Sequence, residues 1–258
     1  MKNNPKKKNG QLEGYEGGLF ALKSAVDIGG ATDAHVHSLG HNIICRTDYR
    51  AHKRSPLELV LDATEGFIPL WEENLVLRWK FNEASLAAFQ HADAIKESIR
   101  NLLGKAISAW GDAMPIRFTE NSDNSDFEIQ IEHNDDCSPQ GCTLAQAFFP
   151  DSGRHPLYIY PKMFSQDEKE QVDTLTHELG HVFGLRHFFA PDTETQWPSV
   201  IFGKNKPFSI MNYGQLSELT EDDKHDLKLL YESVWGRRLT KINDTPIKLV
   251  RPYHYFHP

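Results

Sequence analysis

Hydrophobic and polar residues alternate in two stretches that flank a helical pattern. The alternation in NLVLRWKF predicts a strand with one buried face. Hydrophobic residues then recur three or four positions apart, which predicts a helix that ends at Gly111. Strict alternation returns in DFEIQIEH, and HPLYIYPK predicts a further short strand. Strand, helix and strand in this order predict a βαβ unit and an at least partly parallel sheet.

Two further helices are predicted in the second half of the chain. Ser165 and Glu168 suit a capping box at the start of the first. Its apolar face consists of Val172, Leu175, Leu179 and Val182. Thr220 and Asp223 cap the second, whose buried face consists of Leu227, Leu230, Tyr231 and Val234. Both helices therefore have one side for a core.

Residues 1–65 and 236–258 show little periodicity. We expect an N-terminal segment over 1–65, a main domain over 66–235, and a C-terminal tail over 236–258 in which no element is predicted. The tail is basic and aromatic. The chain thus contains one domain with two flanking segments.

The composition is that of an ordinary globular protein. The 258 residues are 39% hydrophobic and 25% charged, with a net charge of −8, which argues against nucleic acid as a partner. No run of 18 apolar residues predicts a membrane span. The lysines of MKNNPKKKNG precede no apolar stretch, so no signal peptide is predicted. We expect a monomer, and we favour an extracellular location, by non-classical export or as a trimmed chain, over a cytoplasmic one.

The stretch THELGHVFGLRHF has the spacing of a zinc site. His177 and His181 are four residues apart, so both imidazoles leave one face of a helix and can bind one Zn²⁺. Glu178 lies beside them and is placed to act as a general base towards water. Gly184 permits the helix to end and the chain to turn, which brings His187 back as a third ligand. The alternative is an amphipathic helix that happens to be rich in histidine.

The other histidines and the cysteines have simpler interpretations. The histidines of TDAHVHSLGH suit a solvated loop better than an amidohydrolase-type metal site. Cys137 and Cys142 flank a turn sequence, so a disulfide worth roughly 2 kcal/mol is expected; a metal site with His133 is the alternative. Cys45 is left over, as either an inert thiol or a reactive one.

HELGHVFGLRH is similar to the HExxHxxGxxH signature of the metzincin metallopeptidases. SIMNYG places Met211 where those enzymes have a methionine turn. The stretches AISAWGDAMPIRFTE, DFEIQIEH, TLAQAFFP and LTEDDKHDLKLLY resemble matrixin catalytic domains, and the resemblance covers roughly residues 68–232. Tyr213 lies two residues after Met211, as the corresponding tyrosine does in astacins and serralysins. Matrixins have proline at that position. Phe188 also departs from the three subfamilies. The chain resembles a divergent metzincin with a matrixin-like body.

The resemblance implies that residues 66–235 are a zinc metallopeptidase catalytic domain with an α/β (α+β) fold and a zinc cleft, and that residues 1–65 have the character of a pro-segment. A twisted mixed sheet and two long helices would form an upper subdomain, and an irregular lower subdomain would end in a C-terminal helix. The implied activity is that of a zinc-dependent endopeptidase acting on proteins or peptides, with Glu178 as the base and Tyr213 at the oxyanion. The alternatives are a non-catalytic zinc-binding interaction module and a toxin or effector protease acting in a target cell.

Three further expectations rest on the same resemblance. HPLYIYPK would be the edge strand that pairs with the substrate backbone. DSGRHPLYIYPKMF replaces the loop that holds structural zinc and calcium in matrixins, so we do not carry those metal sites over and leave structural calcium open. Cys45 would maintain latency by binding the zinc through its thiolate, or else be an inert thiol.

Overall fold

A computed structural model describes residues 19–20, 23, 43–44, 59–62, 66–139, 141–187, 199–202, 209–211 and 217–257, with the backbone alone for 43–44, 59–62 and 199–202. The strands, in chain order, are β1 Ile43–Ile44, β2 Leu59–Asp62, β3 Ile68–Trp71, β4 Val76–Phe81, β5 Arg117–Glu120, β6 Phe127–Ile131, β7 Asp136–Ser138, β8 Gly141–Thr143, β9 Ala145–Gln146, β10 His155–Ile159, β11 Leu185–Arg186, β12 Ser199–Phe202, β13 Lys241–Ile242 and β14 Thr245–Val250. The helices are α1 Glu83–Leu86, α2 Ala92–Trp110, α3 Glu168–Val182 and α4 Glu221–Trp235. The fold is a mixed α/β fold.

The main sheet has five strands in the order β5-β4-β6-β10-β9. Strands β5, β4, β6 and β10 run parallel, and β9 is antiparallel to β10. The predicted βαβ unit is thereby confirmed. The prediction that HPLYIYPK is an edge strand is wrong, because β10 pairs with β6 on one side and with β9 on the other. The short β9 is the last strand of this sheet as the structure describes it.

Side chains cap the first amide groups of α1, α3 and α4, whereas His91 makes no such bond at the start of α2. Thr220 and Asp223 form the predicted capping box of α4, which is confirmed. The capping box predicted for α3 is wrong. Asp167 caps α3 by accepting a hydrogen bond from the backbone N of Glu170 at 2.9 Å. Ser165 lies in the preceding 3₁₀ turn, Pro161–Ser165, and donates its hydroxyl to a carbonyl of that turn. Helix α2 ends at Gly111 as predicted.

Three aromatic side chains hold the C-terminal half of α3. Trp110 donates its indole N–H to the carbonyl of Thr176 at 2.9 Å, and Trp71 donates its own to Val182 at 2.7 Å. The hydroxyl of Tyr231 donates to the carbonyl of Phe183 at 3.0 Å. Burial raises the pKa of Tyr231, so the phenol stays a donor. The last carbonyls of a helix lack partners within it, and the bonds to Val182 and Phe183 supply such partners and fix the end of α3 in the core.

Both flanking segments contribute strands to the fold. Strand β2 lies between β11 and β12, and β1 pairs parallel with β8. The prediction of no element in the tail is wrong, because β13 and β14 form a hairpin and β14 pairs parallel with β3. The tail is further fixed by Asp126, whose carboxylate accepts bonds from the backbone N of Arg78 at 2.7 Å and of His254 at 2.8 Å. No helix among the described residues is long and apolar enough to cross a membrane.

Candidate metal centre

Helix α3 carries three of the predicted site residues on its buried side. The exposed fraction of the residue surface is 9% for His177, 2% for Glu178 and 0% for His181. Leu175, Leu179 and Val182 lie in the same core and anchor the helix. Three polar side chains this deeply buried need partners, since an unpaired buried polar group is costly.

Gly184 reverses the chain after α3. Its φ is 92°, in the left-handed region that side chains disfavour, and its N–H donates to the carbonyl of His181 at 2.8 Å. A Cβ at this position would lie 3.1 Å from Cδ2 of Leu70. The turn leads directly into β11, which is followed by His187, whose surface is fully buried. The glycine thus brings the third histidine back beside the helix.

The three imidazoles converge on one point. Nε2 of His177 lies 3.0 Å from Nε2 of His187 and 3.1 Å from Nε2 of His181. Nδ1 of His177 lies 2.7 Å from the carbonyl of Ile210, and Nδ1 of His181 lies 2.7 Å from the carbonyl of Leu185. A carbonyl oxygen only accepts, so each Nδ1 must carry the proton and each Nε2 a lone pair. Two such lone pairs at 3.1 Å repel each other unless a proton or a metal ion lies between them.

The donor set fits a zinc ion. The ring nitrogens of His177, His181 and His187 lie within 4.8 Å of one another. Tetrahedral bonds of about 2.0–2.1 Å place ligand nitrogens about 3.3 Å apart, so the rings need to open by only a few tenths of an ångström. The backbone carbonyls on Nδ1 are the partners that usually orient metal-binding histidines.

Glu178 is held by the sheet. Its Oε2 accepts a hydrogen bond from the backbone N of Ala147 at 2.8 Å, just after β9. The carboxylate therefore sits between the helix that carries two histidines and the final strand of the main sheet. This position suits a group that exchanges protons with a molecule lying along that strand.

Met211 packs beneath the site and is fully buried. A Cβ on Gly180 would lie 2.4 Å from its Sδ, so only glycine fits there without a shift. The backbone N of Met211 donates to Oγ of Ser209 at 3.1 Å, which closes a tight turn. That turn presents the Ile210 carbonyl to His177. The packing of Met211 against Gly180 therefore helps to position the Ile210 carbonyl, which orients His177.

The remaining predicted site residues lie elsewhere or outside the described part. Cys137 and Cys142 form a disulfide across the hairpin of β7 and β8. His133 does not join them as a ligand; its Nε2 lies 2.7 Å from the carbonyl of Ser85. The residues Cys45, Tyr213, Phe188 and the histidines of TDAHVHSLGH lie outside the described residues. Their roles stay predictions.

Sequence reasoning missed the backbone groups of the site. The carbonyls of Leu185 and Ile210 and the N–H of Ala147 each contact a predicted side chain. Every residue has such groups, so no residue type could signal them. They lie on β11, on the methionine turn and after β9, three segments that only the tertiary fold brings to α3.

Comparison with known proteins places the site in a family. Residues 71–232 match the family model of the matrixins. The chain is 32% identical over 104 residues to stromelysin-3 of Homo sapiens, covering 36% of this chain and 21% of that protein. It is 29% identical over 163 residues to stromelysin-3 of Rattus norvegicus, covering 59% and 30%. It is also 29% identical over 119 residues to metalloendoproteinase 1-MMP of Arabidopsis thaliana, covering 40% and 32%.

The aligned regions span about a fifth to a third of the length of these relatives. Among solved structures, that of myroilysin is similar, with 13% identity and a TM-score of 0.43, covering 67% of this chain and 98% of that one. The family match covers more than half of the 258 residues, and the chain therefore belongs to the matrixin family.

Proposed function

We propose that the protein is a zinc-dependent endopeptidase. One observation carries the proposal: three buried imidazoles direct their Nε2 atoms at one point, and backbone carbonyls fix the tautomers of two of them. A metal ion bound between these nitrogens would accept all three of their lone pairs. Membership of the matrixin family supports zinc as that cation and a peptide bond as the target.

His177, His181 and His187 would hold the ion, and Glu178 would act as general base and then as general acid. A bound zinc ion supplies Lewis acidity towards the scissile carbonyl and the attacking water. Glu178 takes a proton from that water and delivers it to the leaving amine. The hydrogen bond from Ala147 keeps the carboxylate fixed on the cleft side of the helix. The bond between Ala147 and Glu178 therefore holds the proposed base next to β9, the strand along which the substrate would lie.

The substrate backbone is proposed to pair with the segment around β9. Strand β9 uses one side for β10 and is the last strand of the described main sheet. A peptide strand added there would gain main-chain hydrogen bonds without requiring a particular sequence. Its scissile bond would pass Ala147 and hence Glu178. This assignment replaces HPLYIYPK, which lies one strand further in.

Tyr213 is proposed as a hydrogen-bond donor to the oxyanion. The proposal follows from its position two residues after Met211. One transition-state bond of this kind contributes about 2.7–4 kcal/mol. Tyr213→Phe should therefore lower kcat by about 10²–10³ and leave KM nearly unchanged. Unchanged kcat would remove this residue from the mechanism without affecting the zinc site.

Zinc content and peptide cleavage test the proposal together. The purified protein should contain one zinc per chain, and a mixed peptide library analysed by mass spectrometry should be cut. Glu178→Gln should keep the zinc and lose at least about 10²-fold in rate, because it removes the base and not a ligand. Glu168→Gln is the matched control, since Glu168 lies on the exposed first turn of the same helix and should leave the rate unchanged.

Two outcomes would contradict the proposal. A folded protein that takes up no zinc would show that the histidine cluster has another purpose. A zinc-loaded protein with no activity, or with equal activity after Glu178→Gln, would favour the alternative of a zinc-binding interaction module. The two failures are separated because metal content is measured before turnover.

A further inference from the structure

Strand β2 of the N-terminal segment is the central strand of a small sheet beside the metal centre. It pairs antiparallel with β11, with Leu61 opposite Leu185 and Val60 opposite Arg186. On its other side it pairs antiparallel with β12, from Leu59 opposite Phe202 to Asp62 opposite Ser199. This sheet is thus built around a strand that precedes residues 66–235.

Strand β11 is the two-residue connection between Gly184 and His187. Its first residue, Leu185, holds Nδ1 of His181 through its carbonyl at 2.7 Å. Its second residue, Arg186, is fully buried and directly precedes His187. The position of β11 therefore determines the orientation of one proposed ligand and the location of another.

The pairing with β2 falls on the backbone of Arg186. In an antiparallel pair, successive residues direct their backbone groups alternately towards and away from the partner strand. The Leu185 carbonyl points to His181, so the groups of Arg186 face Val60. By the same alternation, the backbone groups of Leu61 face β12. A strand of two residues has no stability of its own, and Val60 supplies the partner that fixes it.

We propose that β2 is a positioning element of the metal centre and that it stays in the active enzyme. The proposal rests on the zinc site proposed above. Removing β2 would leave the buried backbone of Arg186 without its ladder partner and release the segment that carries His187. Residues 1–65 could then not be removed as a whole; any processing of the N-terminal segment would have to cut before Leu59.

Proline at position 60 tests the element in the full chain. Val60→Pro deletes the N–H that faces Arg186, while Val60→Ile keeps it. Thr119→Pro is the matched control for strand damage, because it removes an N–H from β5 at the sheet edge opposite β9. Zinc affinity is measured by competition with a chromogenic chelator, and folding by circular dichroism and thermal unfolding.

We expect Val60→Pro to weaken zinc binding by about tenfold to a hundredfold, the usual cost of losing a group that orients a metal ligand. Val60→Ile and Thr119→Pro should bind zinc as the wild type does, although Thr119→Pro should melt at a lower temperature. Equal zinc affinity in folded Val60→Pro would overturn the positioning role while leaving the zinc site intact. A wild type that binds no zinc would overturn both proposals.

Hydrogen exchange of the wild type decides the matter if Val60→Pro does not fold. The amides of Val60 and Arg186 should exchange slowly, and zinc should slow them further together. Fast exchange over 59–62 in the zinc-loaded protein would overturn the proposal. So would an active form whose N-terminus, read by mass spectrometry, begins after Asp62.

Discussion

Gly180 and Met211 provide a direct test of how the core supports the metal centre. Gly180 lies on α3 between Leu179 and His181, and a Cβ there would lie 2.4 Å from Sδ and 3.2 Å from Cε of Met211. Gly104 offers the opposite case on α2, where a Cβ would meet nothing within 4 Å. The same substitution, glycine to alanine in a helix, can therefore be compared at a filled site and an open one.

The two variants share one energy term and differ in the other. Alanine stabilises a helix interior by about 1 kcal/mol relative to glycine, so Gly104→Ala should gain about that much. Gly180→Ala gains the same term but overpacks a fully buried contact, which costs about 1–3 kcal/mol. The difference in unfolding free energy between the variants isolates the packing term. This difference should be about 1–3 kcal/mol. For a chain of this size each kcal/mol corresponds to about 2–4 °C in Tm.

Zinc binding provides a second readout for this pair. Any shift of Met211 moves the neighbouring Ile210, whose carbonyl holds Nδ1 of His177. Gly180→Ala should therefore weaken zinc binding in a chelator competition, whereas Gly104→Ala should not. In a Met211→Ala background the cost of Gly180→Ala should vanish, because the side chain that it meets is gone. If Gly180→Ala proved as stable as Gly104→Ala and bound zinc equally well, the proposed support would be refuted.

Three further substitutions test the turn, a buried carboxylate and the tail. Gly184→Ala should lower the unfolding free energy by about 1–2 kcal/mol in urea, because φ is 92° there, and a neutral result would contradict the strain. Desolvation raises the pKa of Asp135, which accepts a bond from the backbone N of Lys162. Its stabilising contribution is then complete below about pH 3.9 and is lost as the pH rises through the raised value, so Asp135→Asn should stabilise more at pH 7 than at pH 4. Asp126→Asn leaves one side-chain oxygen to accept from two backbone amides, those of Arg78 and His254. It should lower the unfolding free energy by about 1–3 kcal/mol in the same urea assay.

Side-chain periodicity located the elements that have one apolar face. Strands β4 and β6 alternate buried and partly buried residues along their whole length. Helix α2 buries the hydrophobic residues whose spacing of three or four positions predicts it, namely Ile95, Ile99, Leu102, Ala106 and Trp110. The histidine motif also predicted three side chains that the structure brings together. These features are local, because each is decided within one or two turns or within one strand.

Short strands in long-range pairs could not be predicted in this way. Strand β9 has two residues, too few for an alternation, so no pattern in the sequence corrects the edge position that the resemblance implies for β10. Strand β14 contains Pro246 and finds its parallel partner β3 almost 180 positions earlier in the chain. The capping residue of α3 was misplaced by two positions because Ser165 already belongs to a 3₁₀ turn. The two strand errors arose where the partner of a backbone group is remote in sequence, whereas the capping error is local.

The flanking strands change how the boundaries of the matrixin region should be drawn. The family match begins at residue 71, yet β3 starts at Ile68 and pairs with β14, which lies beyond the end of the match at residue 232. Trp71 joins the two ends, since its carbonyl accepts the indole N–H of Trp235 and its indole bonds α3. On the other side, β2 pairs with the strand that precedes His187. The matrixin region and its flanking segments therefore share hydrogen-bond ladders, and a chain cut to the family boundaries would expose the edge of β3 and free β11 beside the histidine cluster.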